Sequence, residues 1–277
     1  MSTEDRKSSN PFSTDGGTGG KTGAVPYSEF VDWDKRLATE GPFFKSLFQR
    51  ESVRSVIDVG AGSARHPIMF ASWGLQVDGV DPSESMLAEA RENLATFATD
   101  IQIGGGSVKL HEGGFGGLAA LHLGLADALT CTGNSLPHVD GLSGLREAFA
   151  DFSAVLAPGG IVVLHLLNHA RLLEKQPRVV PPKVRETPSG TRVFLRLIDY
   201  PAGAEYLDFD FVTLTRDFDG AWSLESRRSP HTALPVSVIE TELLGAGFGD
   251  LEFLGDHSGR PLEVLSDESV IVIARKK

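Results

Sequence analysis

Three groups of residues in this chain combine types and spacing that suit chemistry. The run Ser55-Val56-Ile57-Asp58-Val59-Gly60-Ala61-Gly62-Ser63-Ala64-Arg65 is a β-rich stretch that enters a glycine turn and opens a helix. Glycines at 60 and 62 tolerate positive φ and let a ligand approach the backbone closely, and the helix N-terminus that follows attracts negative charge. In the dinucleotide fingerprint a third glycine lets strand and helix pack tightly. Arg65 stands at that position, which disfavours a nicotinamide or flavin and leaves room for a nucleoside without a pyrophosphate. The second group is Val77-Asp78-Gly79-Val80-Asp81, which ends the next strand on a carboxylate suited to both hydroxyls of a ribose. Taken alone, Asp81 before Pro82-Ser83 would equally cap the helix that starts near Glu84. The glycine loop in the same βαβ unit favours the ribose. The third group is Asn134 and His138, just past a central strand, at the edge where open α/β sheets bind ligands. The Asn134 amide suits an acceptor or its own loop, and a neutral His138 imidazole can take a proton or a hydrogen bond or simply be a solvated or capping residue. His169 and His231 are weaker candidates. No arrangement of histidines and carboxylates has recognisable metal spacing, so no metal is expected.

These groups need a scaffold, and the hydrophobic pattern supplies one. Val53 to Val59, Leu75 to Val80, Val108 to His111, Ala126 to Thr132 and Gly160 to Leu167 read as strands, alternating with helices over Ala64 to Trp73, Glu84 to Phe97 and Gly144 to Leu156. Such alternation implies an open, doubly wound, mostly parallel α/β sheet with helices on both faces, residues 51–190. Upstream, helical spacing of Phe30, Val31, Trp33, Leu37, Phe43, Phe44, Leu47 and Phe48, interrupted by Gly41-Pro42, fits two helices covering residues 26–50. Residues 191–235 hold three successive strand-like runs, Val193 to Tyr200, Tyr206 to Arg216 and Trp222 to Arg228, which predict an inserted antiparallel meander. Alternation there puts Asp208 and Asp210 on one face and Phe209 and Phe211 on the other. A helix over Val236 to Ala246 and strands near Leu251 to Leu254 and Ser269 to Ala274 complete the core sheet in residues 236–277. Residues 1–25 carry almost nothing apolar and are expected to form a disordered tail.

Composition limits the partners. The chain of 277 residues has 26 basic and 37 acidic side chains, a net charge of -11, the wrong sign for a nucleic-acid partner. One cysteine, Cys131, cannot form an internal disulfide or a multi-thiolate site, which fits a reducing compartment, the cytoplasm by default. The apolar runs are too short for a membrane span, so a soluble protein is expected. The oligomeric state is left open, a homo-oligomer included.

With these residues in view, the chain resembles the class I S-adenosylmethionine-dependent methyltransferases, with their Rossmann-like fold. Asp58-x-Gly60-x-Gly62 resembles their first motif, with Ala64 where a third glycine is usual. Asp81 matches their ribose-binding acid, and Leu156-Ala157-Pro158-Gly159-Gly160 is similar to the turn before their fifth strand. Thr132-Gly133-Asn134-Ser135-Leu136-Pro137-His138, with Trp33-Asp34-Lys35-Arg36-Leu37 upstream and Leu167-Asn168-His169 downstream, looks like the glycine and sarcosine N-methyltransferase-like branch. The resemblance implies S-adenosylmethionine as cofactor. It implies a site of Tyr27, Trp33, Arg36, Asp58, Gly60, Ala61, Gly62, Asp81, Pro82, Met86, Gly114, Phe115, Thr132 and Gly133, with Arg36 pairing the methionine carboxylate. An acceptor is expected among Asn134, His138, Asn168, His169, Tyr200 and His231, with Asn134 and His138 as the catalytic pair.

Two positions depart from the pattern. Relatives usually carry an acid before an aromatic after strand three to bind the adenine amine; here the sequence is Glu112-Gly113-Gly114-Phe115, leaving Phe115, backbone groups or Glu112 for the adenine. The branch also tends to place an arginine before the Asn168 position to hold an amino-acid carboxylate, and here Leu167 is apolar. Arg171, Arg192 and Arg196 are possible substitutes whose reach the sequence does not fix. An apolar Leu167 predicts an acceptor with a hydrophobic body, and free glycine and sarcosine as poor acceptors. The expectation is in-line methyl transfer to a small-molecule acceptor, an amine in the first instance. O- or C-methylation of a natural-product scaffold and a non-catalytic cofactor-binding role are the alternatives.

Overall fold

The computed structural model describes residues 30–187, 190–203 and 205–277. The expected tail and Tyr27 lie outside the described residues. The chain first forms helix α1 (Trp33–Arg50), then strand β1 (Ser55–Val59), α2 (Arg65–Ala71), β2 (Gln76–Asp81), α3 (Glu84–Thr96), α4 (Ala98–Gly104), β3 (Ser107–Glu112) and β4 (Ala126–Cys131). It continues through α5 (Gly141–Val155), β5 (Leu156–Leu167), α6 (His169–Lys175), β6 (Val179–Thr187), β7 (Gly190–Asp199), β8 (Tyr206–Arg216) and β9 (Trp222–Thr232). It closes with α7 (Val236–Gly245), β10 (Phe248–Leu254) and β11 (Ser269–Lys276).

Seven strands pair in the order β10-β11-β5-β4-β1-β2-β3, with antiparallel pairing only where β11 meets β5 and β10. Both faces are covered, as the near-continuous apolar strands require. Successive side chains of β5 alternate: Ile161 and Val163 pack with Phe44, Phe48 and Phe70, while Val162 and Leu164 pack with Phe149, Phe152 and Leu243. The expected doubly wound sheet is present.

The pair of helices expected around Gly41-Pro42 is instead one helix, α1, with Pro42 inside it. An interior proline costs about 3 kcal/mol, but Phe44, Leu47 and Phe48 beyond it are buried and each contributes about 1.5–3 kcal/mol. The break would forfeit them. Gly41 serves close packing, since a Cβ there would come within 3.3 Å of Met69 Sδ.

The meander is a separate 4-stranded antiparallel sheet in the order β6-β7-β8-β9, one strand larger than expected. β6 is an edge strand whose register shifts between Val180 and Lys183. Pro181-Pro182 lies in that shift, where the missing N–H groups are tolerated. The alternation of acids and aromatics is present. Phe209 is fully buried, and the outward Asp210 binds Arg228 at 2.8 Å, with Asp208 3.8 Å from the same guanidinium. Both acids share the Arg228 guanidinium with Asp199, and neither lines the cavity described below. Helices α4 and α6 are additions to the expected pattern.

Candidate functional site

A cavity of about 420 Å³ opens at the C-terminal ends of β1, β2 and β4, beneath the second sheet. Its floor is the loop after β1. Gly60 and Ala61 donate their N–H groups to Val80 O at 2.8 and 3.0 Å, tying the loop to β2. Gly60 has φ +75, and a Cβ there would lie 2.6 Å from Ser135 Oγ; Gly62 has φ +54 and faces Met86. Gly60 therefore has no room for a side chain, and Gly62 sits in the left-handed region that favours glycine.

Asp81 is buried beside this loop. Its Oδ2 accepts the Gly62 N–H at 2.8 Å and its Oδ1 accepts the Ser83 N–H at 3.0 Å. Burial raises its pKa against those two bonds. Capping of α3 falls to Ser83, whose hydroxyl accepts the Met86 N–H at 3.3 Å. That leaves a second lone pair on each Asp81 oxygen for a ligand. Asp58 lies deeper and accepts the Thr130 hydroxyl at 2.5 Å. Burial pushes its pKa up to about 7 despite that bond.

The expected cofactor residues Trp33, Arg36, Gly60, Ala61, Gly62, Pro82, Met86, Gly114, Phe115, Thr132 and Gly133 all line the cavity. Asp58 and Asp81 support its floor from behind. Glu112 is exposed and lies off the cavity, whereas Glu147 of α5 lines it beside Phe115. As one acid among several on a helix surface, Glu147 carries no sequence signal.

Two further residues that sequence reasoning missed hold the wall formed by α1. The buried Glu40 accepts Arg36 Nε at 2.9 Å and lies 2.6 Å from His66 Nε2. Burial opposes the ionisation of Glu40, but the His66 hydrogen bond and the Arg36 charge hold its pKa well below the usual carboxylate range. Burial lowers the pKa of His66, so a neutral ring donating its Nε2–H to the carboxylate is the consistent assignment. Arg36 and His66 both line the cavity, and Glu40 fixes them together.

Opposite the glycine loop stand Asn134, His138, Phe211, Arg196, Phe30 and His231. Asn134 adopts φ +69, a conformation Asn tolerates better than most residues. Its Oδ1 accepts the Leu167 N–H at 2.9 Å, and its Nδ2 sits 3.4 Å from His231 Nδ1. His138, in the short 3₁₀ turn Leu136–His138, meets His231 edge to face at 4.5 Å, and His231 stacks on Phe209 at 4.3 Å. Burial lowers His138 to about 4 and, with the adjacent His138, His169 and Arg196, lowers His231 as well. Two neutral imidazoles thus face each other across the β4 end and the second sheet.

Asn168, His169 and Tyr200 do not reach the cavity lining. Asn168 is fully buried and donates to Val264 O at 2.7 Å and Asp267 O at 2.9 Å. His169 Nδ1 accepts the Leu234 N–H at 2.8 Å, and the Tyr200 hydroxyl donates to Pro177 O at 3.0 Å. Leu167 packs against the Ile198, Leu207 and Phe209 cluster. Of the three arginines considered as replacements for a cation there, Arg196 lines the cavity. Lys183 lies 4.4 Å from the Phe30 ring, and burial, then Arg196 and Arg185, lowers its pKa to about 8. The underside of the second sheet is therefore cationic.

A family profile described as a methyltransferase domain matches residues 56–160. That stretch contains the glycine loop, Asp81, Asn134 and His138, and ends before the second sheet. The chain is 32% identical over 148 residues to the glycine/sarcosine N-methyltransferase of Parasynechococcus marenigrum (strain WH8102), covering 53% of this chain and 50% of that protein. It thus spans about half the length of that curated relative. In fold it is similar to an S-adenosylmethionine-dependent methyltransferase from Clostridium acetobutylicum ATCC 824, with TM-score 0.72 at 15% identity, covering 90% of this chain and 96% of the other. It is also similar to the structure, with S-adenosylmethionine bound, of an amino pentose methyltransferase from Micromonospora echinaspora, with TM-score 0.66 at 19% identity, covering 89% and 92%.

Proposed function

We propose that this chain, whose α/β unit is a class I S-adenosylmethionine-dependent methyltransferase domain, transfers a methyl group to the nitrogen of a small-molecule amine that carries an apolar body and an anionic group. One juxtaposition carries the reading: a glycine cradle and ribose-type acid on one side of a cavity, and neutral His138 and His231 with Phe211 and Arg196 on the other. The relative that methylates glycine and sarcosine and the fold neighbour that acts on an amino pentose both support an amine.

The residues present fit the cofactor. The cradle at Gly60 has no room for a Cβ, and the cavity is of the size small-molecule ligands occupy. In this reading Gly62 and Asp81 hold the ribose, Phe115 and Glu147 the adenine, and Arg36 the methionine carboxylate, with Glu40 setting the angle of Arg36. S-adenosylmethionine bound there supplies an electrophilic methyl group, so the chain mainly has to align the acceptor and exclude water. His138 or His231 accepts a hydrogen bond from the acceptor N–H and turns the nitrogen lone pair inward. Phe30 and Phe211 take the apolar body, and Arg196 with Lys183 takes the anionic group. This cation set supplies what Leu167 lacks, while the aromatic walls favour acceptors larger than glycine.

The test is methyl transfer to free amino acids of increasing apolar size, their methyl esters and a set of phenols, followed by release of S-adenosylhomocysteine. Apolar amino acids should turn over faster than glycine and sarcosine, their esters about tenfold more slowly, and rates should rise with pH as the amine deprotonates. Turnover of phenols without turnover of amines would overturn the choice of nitrogen. Tight cofactor binding with no turnover on any acceptor would favour the non-catalytic role.

A further inference from the structure

Behind the Arg36 wall, Glu40, His165 and His257 each bring one ligand atom into a group whose members all lie within 4.8 Å of one another. They arrive from α1, from β5 and from the loop between β10 and β11. His165 Nδ1 and His257 Nε2 are buried with no hydrogen-bond partner among the described residues. Two unpaired imidazole nitrogens turned inward beside an ionised carboxylate are unusual, because buried polar atoms are almost always satisfied. They also form a donor set that divalent transition metals favour.

We propose that Glu40, His165 and His257 bind one divalent transition-metal ion, zinc in the first instance, as a clasp that fastens α1 to β5 and to the β10–β11 loop. Glu40 remains competent as a ligand although Arg36 and His66 reach its oxygens at 2.9 and 2.6 Å. Each carboxylate oxygen keeps a further lone pair, and hydrogen bonds to a ligating carboxylate orient it. A tetrahedral ion with ligands at about 2.0–2.2 Å separates them by roughly 3.4 Å, so the group must draw in by about an ångström. His257 can supply that movement because it is only half-buried. Its loop is otherwise well braced: Gly255 N–H binds Arg260 O at 2.9 Å, and Arg260 holds Asp267 at 2.6 Å. The Arg36 charge opposes the ion, which places the affinity below that of an all-thiolate structural zinc site.

The experiment is a titration of the full chain, stripped with chelator, with Zn²⁺ by calorimetry and with Co²⁺ by visible absorption. The expected result is one ion per chain with a micromolar or tighter dissociation constant, Co²⁺ bands of a nitrogen and oxygen site, and a rise in Tm with Zn²⁺. His257→Ala and His165→Gln should each weaken Zn²⁺ binding at least about thirtyfold, with S-adenosylhomocysteine affinity reporting that the variants remain folded. Absence of stoichiometric binding, or binding that survives in a folded variant, overturns the proposal. So does an anomalous-scattering map from Zn²⁺-soaked crystals that shows only a water between the three side chains, a result that decides the matter even where a variant fails to fold.

Discussion

The cavity has two halves that are held in different ways. Around the glycine loop, backbone N–H groups of Gly60, Ala61 and Gly62 are pinned to Val80 O and to the Asp81 carboxylate, all within one βαβ unit. Across from it, His138 and His231 are held by ring contacts and by burial, one in the 3₁₀ turn after β4 and the other on β9 of the second sheet. A backbone-pinned wall tolerates side-chain changes except where a side chain has no space. A wall built from side chains can change its ligand by substitution, and function on a shared fold varies in just such places.

The sharpest way to break the first half is Gly60→Val. The new side chain meets Ser135 and resists positive φ, so affinity for S-adenosylhomocysteine should fall more than about a hundredfold, a loss of roughly 2.7 kcal/mol or more by calorimetry, in a protein whose circular dichroism is native. Normal binding would make the loop structural only. Acid should discriminate between the halves. His138 and His169 titrate near 4 in the folded chain, against about 6.5 when unfolded. Their stabilisation is full above about 6.5 and is lost as pH falls through about 4, on the order of several kcal/mol in all. Hydrogen-exchange protection factors, corrected for the intrinsic slowing of amide exchange in acid, should therefore fall first between pH 7 and 4 in β9 and around the 3₁₀ turn at His138, with β1 and β2 still protected. Simultaneous loss would mean that the halves do not differ.

Asp81→Ala should remove charge-assisted bonds worth about 1.5–3 kcal/mol, a ten- to hundredfold loss of cofactor affinity that calorimetry would register. Part of that loss will reflect a looser Gly62, and Asp81→Asn, which keeps the acceptor oxygen for only one of the two N–H groups, should lie between. The smallest effect is expected at His231. His231→Phe keeps the stack on Phe209 and removes the ring nitrogens, so kcat should drop about tenfold with cofactor affinity unchanged. A fall in cofactor affinity instead would place His231 on the wrong side of the cavity.

Legibility in the sequence follows the same division. The glycine loop and Asp81 are close in the chain and sit at strand ends, so spacing alone announces them, and the alternation of strands and helices announces the sheet. Glu40, His66 and Glu147 are ordinary residues of their helices, and only tertiary contact gives them a place in the site. Asn168 and His169 follow a strand end as an acceptor pair would, yet both turn inward to tie β5 to later segments. β6 is hidden by Pro181-Pro182, and α1 by a Gly-Pro pair that signals a break until the buried stripe on both sides is weighed against it. In each of these cases packing overrode a local signal.

The cationic underside of the second sheet has a kinetic consequence. The chain as a whole carries a net charge of -11, so an anionic molecule approaching from solution is repelled at distances comparable to the Debye length, about 10 Å at 0.1 M salt. In the reading proposed above, it then meets Arg196, which lines the cavity, where screening is weaker than in bulk solvent. Encounter and capture should then respond oppositely to ionic strength: added salt speeds arrival by screening the long-range repulsion and leaves retention nearly unchanged. Stopped-flow measurements on an anionic acceptor would show association accelerating with salt while dissociation stays flat, the reverse of the usual steered pair.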